Sequence, residues 1–416
     1  MVIKMVFQTV RGMRDLLGQE AMIQEFIEGS FRKVFASYGY LPQYTPALEN
    51  FDLLAAKSAA GEAIKEEIYY FKDKGGRELG LRFDLTVPLG RVAATNQLKM
   101  PYKRYAIEEV YRYDRPQAKR YRAFKQADVD VLGVEGLEAE LEVMLVTRDC
   151  FSALGLKPRV VFNSRKLLDD LLKQYGKGRE IEAMRILDKI DKIGKEEVKK
   201  ALKEKGIDEE IVSVIERNNL EEITQIVGQA SDGLKEIIEF TELCNEIKLD
   251  FVEFSASLAR GLEYYTGIVF EVKLEEGPSV GGGGRYDKLI GNYGGKDTFA
   301  VGISFGVSRI LDILQEKGFK TGMEGIFLLG INIEKKELFK ISEVFRKEEI
   351  YNEIDLAGKN ISKGIEYAEK KGYGFVGLIG ENELKKEEIT IKNLKEGKQE
   401  LFKTKDIKKV KSFLEK

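Results

Sequence analysis

The stretch Tyr105–Leu132, YAIEEVYRYDRPQAKRYRAFKQADVDVL, decides the architecture. Its two ends, Tyr105 to Tyr113 and Arg122 to Leu132, alternate with a period of two, the mark of strands, and the polar run DRPQAKR between them reads as a hairpin loop. In the second strand Phe124, Gln126, Asp128 and Asp130 share one face, while Ala127, Val129 and Val131 line the other. A glutamine, two aspartates and a ring make a poor core but a good polar floor for a binding site. The loop and its flanks carry Arg112, Arg115, Lys119, Arg120, Arg122 and Lys125. Guanidinium forks at that density suit phosphate oxygens, whether of a nucleoside triphosphate or of an RNA end, and a solvated basic face is the other reading of such a run.

Working outward, EIYYFKDKGGRELGLRF (Glu67 to Phe83) reads as a second hairpin with its turn at Asp73 to Gly76. An amphipathic helix over Ile23 to Tyr38 closes at Gly39, and Pro46 suits an entry into a strand. Asp84 and Thr86 form a polar pair at a strand end, serving either a site or a turn. Downstream, ARGLEYYTG (Ala259 to Gly267) sits at the mouth of the alternating run IVFEVKL, Ile268 to Leu274. The four glycines of SVGGGGRYDKL match neither a dinucleotide fingerprint nor a P-loop, and let a backbone pass close to a ligand or another strand. VGISFGVSRIL turns from strand to helix, with Arg309 in the first helical turn. A cation is unfavourable there, which suggests a ligand-directed role; a surface arginine is the alternative. Successive hairpins argue for an antiparallel sheet and against a doubly wound parallel one.

Composition bounds the chemistry. The 416 residues suggest two or three domains, and 43% hydrophobic with 33% charged residues reads as globular. No apolar run reaches bilayer length and the N-terminus does not resemble a signal peptide, so a cytoplasmic protein with no membrane association is expected. The two cysteines, Cys150 and Cys244, are too few for a thiolate zinc site and fit buried structural thiols. A net charge of −2 confines any nucleic-acid contact to a local basic patch. There is no histidine, which excludes imidazole bases, histidine nucleophiles and histidine metal ligands.

Taken together, the arginine-rich hairpin beginning YRYDRP, the element ending GVSRI and the helix-strand element closing at Pro46 resemble motifs 2, 3 and 1 of the class II aminoacyl-tRNA synthetases. ARGLEYYTG and GGGGRYDKL resemble the two segments peculiar to the histidyl-tRNA synthetases, and the Asp at 84 and 130 resembles the archaeal and eukaryotic branch. The likeness runs from RGMRD near the N-terminus to GFVGLIGENELKKEEITIKNL, with the helical stretch in the middle least matched.

The resemblance implies an α+β fold: an antiparallel-sheet catalytic domain in two parts, 1–163 and 249–323, a helical insertion at 164–248, and a C-terminal α/β anticodon-binding domain at 324–416. It implies ATP-dependent activation of L-histidine to the adenylate and transfer to the 3′ end of histidine tRNA, by a homodimer with Pro46 near its interface. By the same resemblance, Asp130 and a hydroxyl of Tyr264 or Tyr265, Tyr265 favoured, would read the imidazole, while Asp84, Thr86 and Gln126 would hold the ammonium. Arg112 and Arg260 would flank the α-phosphate, Phe124 and Arg309 would sandwich the adenine, and Arg120 and Arg309 would reach the outer phosphates, which carry Mg2+. Gln117, Lys119 and Arg122 would meet the tRNA acceptor end. Lys119 and Lys125 depart from the family's usual residues. The rival readings are a non-catalytic histidine sensor similar to the regulatory subunit of ATP phosphoribosyltransferase, and an RNA-sensing module on the same fold.

Overall fold

The computed structural model describes residues 7–56, 66–113, 121–188, 190–258, 264–274 and 278–414. Contacts divide the chain into Met1–Gly318 and Phe319–Lys416. The strands of the first unit begin with β1 (Leu41–Pro42), β2 (Leu48–Asn50), β3 (Tyr70–Lys72), β4 (Glu78–Leu81), β5 (Tyr102–Tyr111) and β6 (Ala123–Leu132). They continue with β7 (Arg159–Ser164), β8 (Val252–Phe254), β9 (Ile268–Lys273), β10 (Gly281–Arg285) and β11 (Ala300–Gly306).

The main sheet has the order β1-β5-β6-β11-β10-β9-β7-β8. Its interior pairings are antiparallel, as the hairpin reading requires, while β1 against β5 and β7 against β8 are parallel. The β2-β4-β3 sheet carries the hairpin of Glu67 to Phe83, whose turn closes where the Gly76 N–H donates to the Asp73 carbonyl at 3.0 Å.

Alternation along β6 sorts the two faces of the sheet. Ala127, Val129 and Val131 are buried. On that side the helices Gln19–Ser37 and Glu138–Ala153 pack as an aromatic layer, with the Phe31 ring 5.5 Å from Phe305 and 6.4 Å from Phe151. Lys125 points the same way and pairs with buried Glu28 at 2.6 Å, so its departure from the family pattern lies on the covered face.

The glycine run is itself a strand. Gly281–Arg285 forms β10 between β9 and β11, and a Cβ on Gly283 would lie 2.0 Å from the Gly302 carbonyl oxygen. Only a strand without side chains there can pass this close to its neighbour. At its end Arg285, 3% exposed, places Nε and Nη2 each 2.7 Å from the Glu140 carboxylate, and also donates to the carbonyls of Val134 and Gly136.

The stretch between β7 and β8 is helical and belongs to the first unit. Its first helix, Arg165–Tyr175, crosses its last, Asp232–Glu246, where a Cβ on Gly233 would lie 2.1 Å from the Leu167 nitrogen. Ser164 and Lys166 both bond the Glu236 carboxylate there, at 2.5 and 2.6 Å.

The second unit holds β12 (Met323–Ile331), β13 (Asn352–Ile354), β14 (Tyr373–Gly380), β15 (Glu388–Asn393) and β16 (Gln399–Lys403), in the order β13-β12-β14-β15-β16. The first three are parallel and joined through the helices Lys335–Lys347 and Ile361–Lys371, matching the α/β reading. The antiparallel hairpin of β15 and β16 is an addition to that reading, although β15 alternates strictly between half-buried and buried residues.

Replacing Glu140 by Ala should strand the Arg285 guanidinium in the interior and cost about 3 kcal/mol or more. The check is a chemical denaturation midpoint: a Glu140→Ala chain as stable as the native one would show that the pair does not hold β10 to the helix.

Candidate active site

The uncovered face of the sheet opens into a cleft of about 450 Å³. Arg112, Tyr121, Phe124 and Arg309 line one part of it, and Gln126, Ser304, Tyr264 and Tyr265 another. Val269 and Glu271 of β9 line it as well, while the Phe270 ring packs against Phe240 at 6.1 Å.

At the first end the Arg112 guanidinium carbon sits 5.1 Å from the centre of the Phe124 ring, and its Nε donates to the Phe83 carbonyl at 3.0 Å. Arg309, in the first turn of the helix Val307–Glu316, donates to the Ser279 carbonyl. The next residue back, Ser308, accepts the Lys125 N–H at 3.0 Å, which ties this helix to β6. Two cations and a ring thus line the cleft, with the cations fixed on separate elements, an arrangement suited to an aromatic base with phosphates attached.

At the other end Gln126 donates to Ser304 Oγ at 2.8 Å, and its Oε1 is buried without a hydrogen-bond partner among the described residues. Such an oxygen is ready for a donor from a ligand. The rings of Tyr264 and Tyr265 lie 4.1 Å apart. Burial pushes the Tyr264 hydroxyl up from its ordinary value, with Asp84, Asp128 and Asp130 adding to it and Tyr265 opposing, so it remains a neutral donor.

Beneath this end lies Asp130, 2% exposed. Arg104, fully buried on β5 directly opposite it, holds its carboxylate at 2.7 Å and donates to the Leu85 carbonyl at 3.0 Å. The Tyr286 hydroxyl donates to the other carboxylate oxygen. On the far side stands Gly302, where a Cβ would lie 2.0 Å from the Asp130 oxygen. Asp130 is therefore held by Arg104 of β5 and by Tyr286 just after β10, in space left by Gly302 of β11, and it does not line the open cleft.

Asp84 and Thr86 also lie outside the cleft lining. The Asp84 carboxylate accepts the N–H groups of Thr86 at 3.1 Å and Val87 at 2.9 Å, so the turn-capping alternative describes one of its oxygens. Arg122 stands apart from the cleft with its guanidinium 4.2 Å from the Tyr113 ring centre. Arg260, Gln117, Lys119 and Arg120 lie outside the described residues. The sequence reading passed over Arg104 and Ser304, both in register with β6, as well as Tyr286, Tyr121 and Glu271. Counting the register across from Asp130 and Asp128 would have found the first two.

Residues 12–310 match the family model described as histidyl-tRNA synthetase, and residues 326–416 match that of an anticodon binding domain. The chain belongs to the histidyl-tRNA synthetase family. It is 33% identical to histidine-tRNA ligase 1 of Bacillus anthracis, covering 94% of this chain and 97% of that one. It is 33% identical to the histidine-tRNA ligase of Pyrococcus abyssi over 95% and 96%, and 36% identical to histidine-tRNA ligase 2 of Shouchella clausii over 94% and 97%. Among solved structures, the fold matches histidyl-tRNA synthetase from Nostoc sp. PCC 7120 with a TM-score of 0.82 at 24% identity, covering 99% of this chain and all of that one. It also matches a protein from Bacillus halodurans C described as an ATP phosphoribosyltransferase regulatory subunit/histidyl-tRNA synthetase, with a TM-score of 0.75 at 22% identity over 91% and 99%. The large antiparallel sheet with a C-terminal anticodon-binding domain is thus the fold of the family's solved members. Among the described residues of this synthetase-family chain, no helix is long and apolar enough to cross a membrane.

Burial under the floor has a measurable consequence at Asp128. Its carboxyl is pushed from 3.8 up to about 7, chiefly by loss of solvent, with Asp130 and Asp84 adding and Arg104 and Ser304 opposing. The unfolded chain releases this proton near pH 4 and the folded one retains it, so stability falls as pH rises through the interval up to about 7. An Asp128→Asn variant lacks that loss, and its melting temperature relative to the native chain should climb between pH 4 and 7 and level off above. A flat difference would mean that Asp128 is ionised throughout.

Proposed function

We propose that the chain is a histidine-tRNA ligase that activates L-histidine with ATP and passes the histidyl group to the 3′ end of histidine tRNA. The observation that carries the reading is the pairing of two fixed arginines and a ring at one end of the cleft with a neutral, hydrogen-bonding floor at the other. A neutral imidazole presents one donor and one acceptor, so a selective pocket needs one acceptor and one donor. By the family resemblance Tyr265 is the donor, with Tyr264 beside it, and Asp130 the acceptor, its carboxylate held beneath the cleft lining by Arg104 and the Tyr286 hydroxyl. Gln126 and, through groups at the cleft margin, Asp84 and Thr86 take the ammonium.

The histidine carboxylate attacks the α-phosphorus of ATP and pyrophosphate leaves. Charge gathers on the phosphate oxygens, where Arg112 supplies a fixed cation and, by the family resemblance, Arg260 a second. Phe124 and Arg309 sandwich the adenine, and Arg120 and Arg309 face the outer phosphates. No group of three His, Cys, Asp or Glu side chains among the described residues could hold a metal, while Glu271 is the carboxylate on the cleft wall. Glu271 would be the chain's oxygen ligand for an Mg2+ ion carried in with ATP, which would neutralise charge on the outer phosphates. In the second step the terminal ribose hydroxyl attacks the carbonyl carbon and AMP leaves, with a phosphate oxygen taking the proton, since the chain has no histidine side chain to act as the base. Gln117, Lys119 and Arg122 meet the acceptor end, and the second unit reads the anticodon.

The homodimer implied by the resemblance is supported by Leu41, Tyr44 and Leu48, exposed at 62%, 76% and 45% around Pro46. Histidine sensing without catalysis is the second reading, favoured by the likeness to the Bacillus halodurans protein. Exchange of labelled pyrophosphate into ATP separates the two. It should require histidine, respond to none of the other nineteen amino acids, and fall ~10²–10³-fold in Arg112→Ala and in Arg260→Ala. Histidine binding without exchange would replace the ligase reading by the sensor.

A further inference from the structure

The N-terminal stretch RGMRD carries a side chain that reaches the nucleotide end of the cleft without entering it. Arg14 lies with its guanidinium carbon 3.9 Å from the centre of the Tyr121 ring. Its Nη1 donates to the Tyr121 hydroxyl at 2.6 Å and to the Asp312 carboxylate at 2.8 Å, and the Tyr121 hydroxyl donates to the same carboxylate oxygen at 3.2 Å. Asp312 is buried, and it stands one turn beyond Arg309 on the helix Val307–Glu316. Tyr121 lines the cleft together with Arg112, Phe124 and Arg309.

The backbone repeats the connection. Arg112 donates its N–H to the Arg122 carbonyl at 2.9 Å, which forms the neck of the arginine-rich hairpin, and Arg122 donates its own N–H to the Gly12 carbonyl at 2.8 Å. Gly12 has φ of +86°, the left-handed region that turns the segment toward this neck. The N-terminal segment thus grips the hairpin where its chain returns to β6, and grips the helix bearing Arg309 as well. Arg14 is 24% exposed and Asp312 buried, so removing the guanidinium also leaves a buried carboxylate without its partner, which is why the conservative Lys variant belongs in the test. What Arg14 does is fix one wall of the cleft relative to another.

We propose that Arg14 is a positioning residue for ATP, acting through Tyr121 and Asp312 to set the spacing between the hairpin and the Arg309 helix; this rests on the ligase reading for the identity of the nucleotide. Histidine binds on Gln126 and the tyrosines, which none of these groups touches, so the two substrates should respond differently.

The test is calorimetric titration of the full chain with magnesium ATP and, separately, with histidine. Arg14→Ala should weaken ATP about tenfold and leave histidine within about twofold. Arg14→Lys, which keeps the charge and loses the planar fork, should weaken ATP by about threefold. Tyr121→Phe should also weaken ATP, and Arg14→Ala added to it should cost less than it does alone, because the two act through one contact. If Arg14→Ala does not fold, the Lys and Phe variants decide the matter. Unchanged ATP affinity in the variants, or equal losses for ATP and histidine, would overturn the inference. Pyrophosphate exchange by the unaltered chain keeps the two ideas separate. Selective loss of ATP affinity without any exchange would support the positioning role and sink the ligase reading, whereas exchange with unaltered ATP affinity would do the reverse.

Discussion

The charge pair between Arg104 and Asp130 sets the terms for the rest of the catalytic sheet. Two opposite charges, both essentially without solvent, are tolerable only if their remaining polar atoms are satisfied and their positions are fixed. Arg104 meets the first condition in part, by reaching the Leu85 carbonyl at the entry to the helix Thr86–Thr95 while its Nε stays without a hydrogen-bond partner among the described residues, and Asp130 takes the Tyr286 hydroxyl. Sheet register meets the second, since Arg104 and Gly302 are the direct cross-strand neighbours of Asp130 on either side. A side chain at 302 would push the carboxylate away, and a shift of one residue in β5 would turn the arginine to the covered face. The polar floor, the glycine at 302 and the tyrosine after the glycine strand therefore belong to one constraint.

Much of this architecture could be read from residue patterns. The period-two alternation of Phe124 to Asp130 identified which face is covered and which is open, and Lys125 falls on the covered side as the period demands. The turn at Asp73 to Gly76 and the strand-to-helix change at Gly306 follow from equally local signals. The glycine run was harder, because four residues without side chains carry no periodicity, and its strand character comes from neighbours that close on it from both sides.

The site was legible to a different degree. Phe124, Gln126, Arg112, Arg309 and the tyrosine pair announce themselves through residue type and face, and they do line the cleft. Arg104, Ser304 and Tyr286 act across strands, so only a pairing register reveals them. Asp84 illustrates a third case: a carboxylate at a strand end was open to two readings, and its bonds to Thr86 and Val87 show that one oxygen serves the backbone whatever the other serves.

The helical stretch between β7 and β8 has a consequence of an evolutionary kind. Its two ends leave and rejoin the sheet on parallel neighbours, a connection that must arch over the sheet and so has no short form. The arch is pinned at its base, where Gly233 lets the first and last helices touch and Glu236 collects Ser164 and Lys166. Whatever lies above that stem can lengthen, shrink or change its surface without shifting a strand of the catalytic sheet. Lineages can therefore remodel this appendage for new contacts while the cleft below stays as it is.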